Sequence, residues 1–495
     1  MSVGTLRYHG RLVLKRRAAL TVLLGAALSC TGHPLQESCP DAHTDQTGTF
    51  PEEVLNRDLD ILFMVDNSGA MTPLQMKLAA SFPAFMNVLE ALPLPNVHIA
   101  VVSSDLGAGR PPGVVGCSPG GGGDEGKFQF APRGACAASG LNPGQTFISN
   151  INGMANYTGD LADVFACIAE LGQNGCALEH QFASVLRALG ADGRAGAPFE
   201  NSGFLRKEAY LAVIFITNED DCSAPPDSDV FDPTSRYVSD PLGPLTSYRC
   251  NHVGHRCDGL PPPLQSGAEL KNCVSAEDGV LLNVADVVAG LKGLKTDPSK
   301  IFVSAIAGPP TPYVVALTGT PNNDDPAFAW PEVQHSCADG DGTYADPAVR
   351  ISQLVQAFAG NGVFQPICNA SLTTALQRIA EGIGAKLGRQ CVPGTIIDRN
   401  GVPWTDGDLA GPDCAVTDHG YSANGDLIDV SDPSCATSGA SNCWRLEPGT
   451  AANGCNGQHI LTFPNRAPGA SHVQTTIACS VSTGAAAGTT PPCSR

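Results

Sequence analysis

Leu59-Asp60-Ile61-Leu62-Phe63-Met64-Val65-Asp66-Asn67-Ser68-Gly69-Ala70-Met71 is the stretch on which the reading of this 495-residue chain turns. A continuous apolar run of this length suits a central parallel strand covered on both faces, and a carboxylate at its carboxyl end stands where open α/β sheets bind ligands. Directly after it, Leu74, Leu78, Phe82, Phe85, Leu89 and Leu92 recur every three or four residues, the pattern of an amphipathic helix, with Pro83 inside it predicting a bend. A strand, an acidic turn and a helix in that order make the turn a place for an ion.

Outward from this unit the alternation continues. Val97 to Ser103, Tyr210 to Thr217, Ile301 to Ala307 and Val363 to Ile367 read as strands. Leu161 to Leu171, Glu179 to Leu189, Val284 to Leu294 and the segment after Ser371 read as helices, and Asp346-Pro347 reads as the start of another, with Asp346 as N-cap. Parallel pairing with helical crossovers is the natural solution, so the predicted fold class is α/β with a doubly wound, mostly parallel sheet. Three Cys- and Pro-rich insertions, about 107–140, 223–280 and 309–345, are expected on one rim. From about residue 388 the periodicity gives way to a Gly-, Asp- and Ser-rich tract with regularly recurring cysteines, read as a small disulfide-rich β module with strands near His459 to Phe463 and His472 to Ala478.

The pattern Asp66, Ser68, Gly69 and Met71 at the end of an apolar strand resembles the start of a von Willebrand factor type A (VWA) domain, whose Asp-x-Ser-x-Ser motif chelates a divalent cation; the resemblance covers residues 57–387. It implies a metal-ion-dependent adhesion site that captures protein ligands, with Asp66, Ser68, Asn218 and Asp220 as the expected metal set and Mg²⁺ as the expected cation, Mn²⁺ or Ca²⁺ being alternatives. The motif is degenerate. Ala70 stands at the second serine position, Asn218 stands where an aspartate is expected, and no threonine lies near Gly175-Cys176-Ala177. Glu179, Glu219 and Asp221 are the available compensating carboxylates, although such an acidic run is more often a solvated loop. The competing reading of the turn is structural, with Asp66 capping it and Ser68 bonding backbone amides.

The amino terminus carries Arg7, Arg11, Lys15, Arg16 and Arg17 before the apolar run Ala18 to Ser29, which is too short to span a bilayer and fits an export signal over residues 1–29. Ala27-Leu28-Ser29-Cys30 is similar to a bacterial lipobox, which makes Cys30 the expected lipid anchor, residues 30–56 a polar tether and the cell outer membrane the expected location. Of the 19 cysteines, lipidation of Cys30 would leave 18, an even number suited to a disulfide framework in an oxidising compartment. Eleven of them lie in 31–387 and seven in 388–495, so complete pairing requires a bridge between the two segments. Removing the five basic residues of the signal takes Lys plus Arg from 29 to 24 against 48 Asp plus Glu, a net charge of −24. That balance disfavours nucleic acid and leaves membrane attachment to the lipid.

Other motifs are weaker. Gly121 to Lys127 approaches a phosphate loop, but Phe128 stands where Ser or Thr is needed. Cys250, His252, His255 and Cys257 have the composition but not the spacing of a zinc site. Asp339, Asp341 and Thr343 resemble part of a calcium loop. The sequence therefore reads as a cell-envelope lipoprotein mediating protein binding or adhesion; the alternatives are a structural envelope protein with an inactive ion site and, less favoured, a secreted enzyme with its site in the insertions.

Overall fold

The computed structural model describes residues 47–49 and 58–482, except 91–95, 135, 152, 226–227, 235–236, 319–328, 385–386, 388–390, 393, 407–409, 422–426, 437–442, 450–457 and 463–471. The expected export signal, Cys30 and most of the expected tether lie outside the described residues. Within the tether span, Thr47–Thr49 is a strand.

The main domain is built in chain order from β1 (Leu59–Val65), α1 (Thr72–Glu90), β2 (Val97–Ser103), β3 (Ile148–Ile151), α2 (Leu161–Ala169), α3 (Gln181–Leu189), β4 (Tyr210–Ile216), α4 (Val284–Lys292), β5 (Ile301–Ala307), α5 (Val349–Gln356), β6 (Gly362–Pro366) and α6 (Thr373–Gly384). The strands lie in the order β6-β5-β4-β1-β2-β3, followed by the short strand Met154–Ala155. All neighbours from β6 to β2 pair in parallel, with Leu59 opposite both Val97 and Tyr210, and only β3 runs antiparallel. This is the doubly wound arrangement, in which the chain reverses direction across the sheet next to β1.

Every residue of β1 is buried because the strand feeds two cores. Leu59, Ile61, Phe63 and Val65 face α1, α2 and α6, while Leu62 and Met64 face the side covered by α3, α4 and α5. Phe63 packs against Phe82, Phe85 and Phe165, and the rings of Phe82 and Phe165 stack 3.7 Å apart. Each fully buried ring contributes roughly 1.5–3 kcal/mol. Pro83 sits inside α1 between two of these phenylalanines, so the cost of its missing amide is offset by packing on both sides.

The three insertions leave the carboxyl ends of β2, β4 and β5, the same rim as the Asp66 turn. Five disulfides tie them down: Cys117–Cys176, Cys136–Cys167, Cys222–Cys250, Cys257–Cys273 and Cys337–Cys368. The third insertion also docks on α1, where Lys77 Nζ meets the Asp339 carboxylate and Thr343 Oγ1. The expected N-cap role of Asp346 is not what the structure has: α5 starts later, with Ala348 at its N-cap, and the Asp346 carboxylate instead meets His335 Nδ1 at 2.7 Å.

The C-terminal tract is a β module, as its composition implies. His472–Ser482 is its spine, pairing with Cys414–Tyr421, Thr395–Ile396 and the early strand Thr47–Thr49; a three-stranded sheet joins Cys391–Val392, His459–Thr462 and Arg445–Pro448. Trp444, Val416, Ile477 and Leu461 fill its core, stapled by Cys414–Cys479 and Cys435–Cys443. Cys39, Cys455 and Cys493 lie outside the described residues, and with them the bridge that the cysteine count requires between the two segments. Among the described residues no helix is long and apolar enough to cross a membrane.

Candidate functional site

β1 delivers Asp66 to the carboxyl edge of the sheet, and the parallel register places Thr217, the residue after β4, beside it. Asp66 is wholly buried and spends its carboxylate on three donors. Its Oδ1 accepts the Ser68 amide at 2.8 Å and Ser104 Oγ at 3.2 Å, and its Oδ2 accepts Thr217 Oγ1 at 2.7 Å. Gln75, one turn into α1, locks this turn to the loop after α2: its Nε2 donates to the carbonyls of Asp66 and Gly172, and its Oε1 accepts the Gly172 amide. The same loop comes so close to Asn67 that a Cβ on Gly175 would force the Asn67 side chain to move.

Around Asp66 sit side chains whose polar atoms have no partner. Ser68 Oγ, Glu179 Oε1 and both side-chain atoms of Asn218 are buried and make no hydrogen bond of normal geometry, although the Ser68 hydroxyl stands near enough to Asp66 and Glu179 to lower both carboxyls. In a folded protein such groups are almost always paired, and leaving one unpaired costs about 1–3 kcal/mol. Ser68, Asn218 and Glu179 are each 3% exposed or less, so bulk solvent does not satisfy them.

The electrostatics are as one-sided as the hydrogen bonding. Burial pushes the Asp66 carboxyl up, only partly opposed by Ser68, Thr217 and Ser104, and among the described residues no cationic side chain forms an ion pair with it. Glu179 is raised well above the usual carboxylate range, first by desolvation and then by the charges of Glu219 and Asp66. Glu219 is pushed up to about 8 by desolvation, Asp346 and Asp66. Behind them lies a cavity of about 10 Å³ lined by Glu179, Glu219, Asp220, His255 and Asp346, about the space of a single water molecule. Four carboxyls crowd one another here, and a hard divalent cation is the partner whose charge and oxygen preference would relieve them.

The four residues expected as a metal set divide three to one. Asp66, Ser68 and Asn218 stand at the carboxyl edge of the sheet, and the Glu179 carboxyl is near enough to Asp66 and Ser68 to be shifted by both. Asp220 does not join them. Its carboxylate caps α5 from a distance, accepting the Arg350 amide at 2.8 Å and the Ile351 amide at 3.1 Å, and it meets His255 Nε2 at 2.8 Å. Those partners hold it below the usual range in spite of desolvation. Asp221 does the same for α3, accepting the Phe182 amide at 2.9 Å, and pairs with Arg350 at 3.1 Å. The expectation that the acidic run is a solvated loop fails for these two because helix amino termini and a buried guanidinium demand carboxylates. Among the described residues no group of three or more His, Cys, Asp or Glu side chains is spaced to hold a metal ion, so a cation here would rely on the neutral oxygens of Ser68 and Asn218.

The weaker motifs resolve into structure. Cys250 and Cys257 are in separate disulfides, with Cys222 and Cys273, and His255 lies between Asp220 and the Tyr313 hydroxyl at 2.8 Å each, which removes the zinc reading. Asp339 is tied to Lys77, and this partner takes its carboxyl well below the usual range. Gly121 to Lys127 precedes no helix. Thr217, Ser104 and Gln75 carry the site without a sequence motif; of these only Thr217 was recoverable, because parallel pairing of β1 with β4 puts it opposite Asp66.

A parallel sheet in this order with an Asp-x-Ser turn at the carboxyl edge of β1 defines a VWA-like α/β domain. No family model and no curated protein matches the chain. Among solved structures it is similar to a von Willebrand factor type A protein from Catenulispora acidiphila, at 11% identity over 86% of this chain and 58% of that one, with a TM-score of 0.26. It is similar also to the conserved hypothetical protein BatB from Bacteroides thetaiotaomicron, at 12% identity over 66% of this chain and 97% of that one, TM-score 0.24. A third is the pilus adhesin SpaC from Lactobacillus rhamnosus GG in its open conformation, at 12% identity over 88% and 40%, TM-score 0.28. The chain thus spans less than two thirds of the first and third of these proteins.

Proposed function

We propose that this chain is an exported envelope protein that binds protein ligands at the carboxyl edge of its VWA-like domain, with a divalent cation, Mg²⁺ foremost, held by Asp66, Ser68, Asn218 and Glu179. The observation that carries the reading is the set of buried, unpartnered oxygens on Ser68, Asn218 and Glu179 around a carboxylate that has no cationic partner. When bound, the cation supplies a coordination position for a ligand carboxylate. Asp66 and its donors Thr217 and Ser104 fix the turn, Gln75 holds the adjoining loop, and the stapled insertions shape the rim. The disulfides fit an oxidising compartment, and lipid at Cys30 would hold the protein at the outer membrane. A structural role with an inactive ion site is the second reading, favoured by the diversion of Asp220 to helix capping.

Titration calorimetry with Mg²⁺ and Mn²⁺ tests the choice. Asn218→Asp adds a negative charge and should tighten binding by about tenfold, more than Ala70→Ser, which adds a neutral oxygen. If neither variant nor their combination binds at millimolar metal, the inactive-site reading stands. Release of Cys30→Ser from the membrane fraction tests the anchor.

A further inference from the structure

We propose that the cavity between α3, α4 and the first two insertions is a binding site for a neutral small molecule with an apolar body and one hydroxyl or carbonyl group. The cavity has a volume of about 420 Å³, within the range of small-ligand sites. Leu106, Ala183, Leu186, Pro225, Leu282 and Val287 give it apolar walls. His180 lines it too, only 3% exposed; neither ring nitrogen makes a hydrogen bond of normal geometry, and the one polar neighbour that acts on the ring is the Gly107 backbone, which leaves a ring nitrogen free for a ligand. The Phe231 ring, 5.3 Å away, packs against the imidazole. A free imidazole nitrogen buried in an apolar chamber is an unfilled polar position, and a ligand hydroxyl or carbonyl would fill it.

The rim decides the ligand's charge. Asp192 lies 3.8 Å from Arg187 and 3.3 Å from Arg194, Arg187 also donates to the Gly196 carbonyl, and Glu125 pairs with Lys127. The remaining lining carboxylate, Asp286, accepts the Asn283 side-chain amide at 3.1 Å, and the lining cations Arg187 and Arg194 are both engaged with Asp192, so among the described residues no free cation stands at the mouth to select an anionic ligand. The chamber is preformed, because Cys117–Cys176 ties the first insertion to the loop leading into α3 and Cys222–Cys250 ties down the second. Glu179 faces the ion site and His180 faces this chamber, so the amino end of α3 borders both.

Ligand-observed NMR on the full chain in chelator, with 4-propylphenol and propylbenzene as probes, decides the matter without depending on the ion site. The expected result is saturable binding of the phenol, about tenfold tighter than propylbenzene, the scale of one hydrogen bond. His180→Phe should erase that difference, and Ala183→Trp should abolish binding of both probes with the far-ultraviolet spectrum unchanged; Ala183→Met, expected to weaken both, serves if the tryptophan variant does not fold. Absence of phenol binding at millimolar concentration, equal affinity for the two probes in the unmodified chain, or binding unaffected by filling the cavity would each overturn the proposal.

Discussion

The two ends of β1 each bury an aspartate, and the two sit in opposite surroundings. At the amino end, Asp60 accepts the Arg206 amide and Nε at 2.8 Å each, with Lys295 Nζ at 3.7 Å and His98 Nδ1 at 3.5 Å. Lys295 in turn donates to the Arg206 carbonyl. At the carboxyl end, Asp66 has hydroxyl and amide donors but no cation, and its neighbours Ser68, Glu179 and Asn218 keep unpaired atoms. One end is a finished structural network; the other carries polar groups that the fold itself leaves unsatisfied. Proteins tolerate such groups where function requires them, and the contrast between the two ends is what the proposed cation site at Asp66 rests on.

The largest expected effect breaks the comparison at its structural end. Asp60→Ala leaves the buried Lys295 ammonium without its counter-charge and takes from the half-buried Arg206 guanidinium its nearer carboxylate, and should cost about 3–5 kcal/mol in urea unfolding. Asp66→Asn, measured in chelator, should change stability by less than about 1 kcal/mol or raise it, since it removes a buried charge that no cation balances. Equal losses at the two ends would remove the distinction.

Next is the pH dependence of His180. Burial lowers its pKa from 6.5 to about 4. Between those values the unfolded chain binds a proton that the folded one does not, so the contribution of His180 to stability falls as pH drops from 6.5 to about 4 and levels off below; the raised Glu179 and Glu219 carboxyls act in the opposite sense, so the His180 part is read as the difference between the unmodified chain and His180→Phe. The full span amounts to about 3 kcal/mol. Unfolding midpoints of the two chains across that window should show it.

The smallest effect concerns the acidic run. Asp220→Asn removes a charged acceptor from two α5 amides and from His255, which should cost about 1–3 kcal/mol. Metal binding should be unchanged in that variant, and weakened binding would return Asp220 to the ion site.

Most of the sheet was legible in the sequence because its central strands are buried on both faces and read as uninterrupted apolar runs, while the covering helices keep a period of three to four. The degeneracy at Ala70 and Asn218 was visible only through the resemblance to the VWA motif, which says what each position is expected to hold. The fates of Asp220 and Asp221 were not visible, because their partners Arg350 and Ile351 lie more than a hundred residues away and no local pattern records such pairing. The disulfide partners of Cys250 and Cys257 lie only 28 and 16 residues away, but with 18 cysteines available no spacing singles out Cys222 and Cys273. Asp346-Pro347 misled because a cap-like dipeptide says nothing of a remote carboxylate already capping the helix.

Electron paramagnetic resonance of Mn²⁺ added to the metal-free chain tests the central claim most directly, since it counts bound ions without reference to any ligand. The account predicts stoichiometric bound Mn²⁺ in the unmodified chain, loss of that signal in Asp66→Ala, and competition by Mg²⁺. A chain that binds no Mn²⁺ at millimolar concentration, or that binds it equally well in Asp66→Ala, would contradict it.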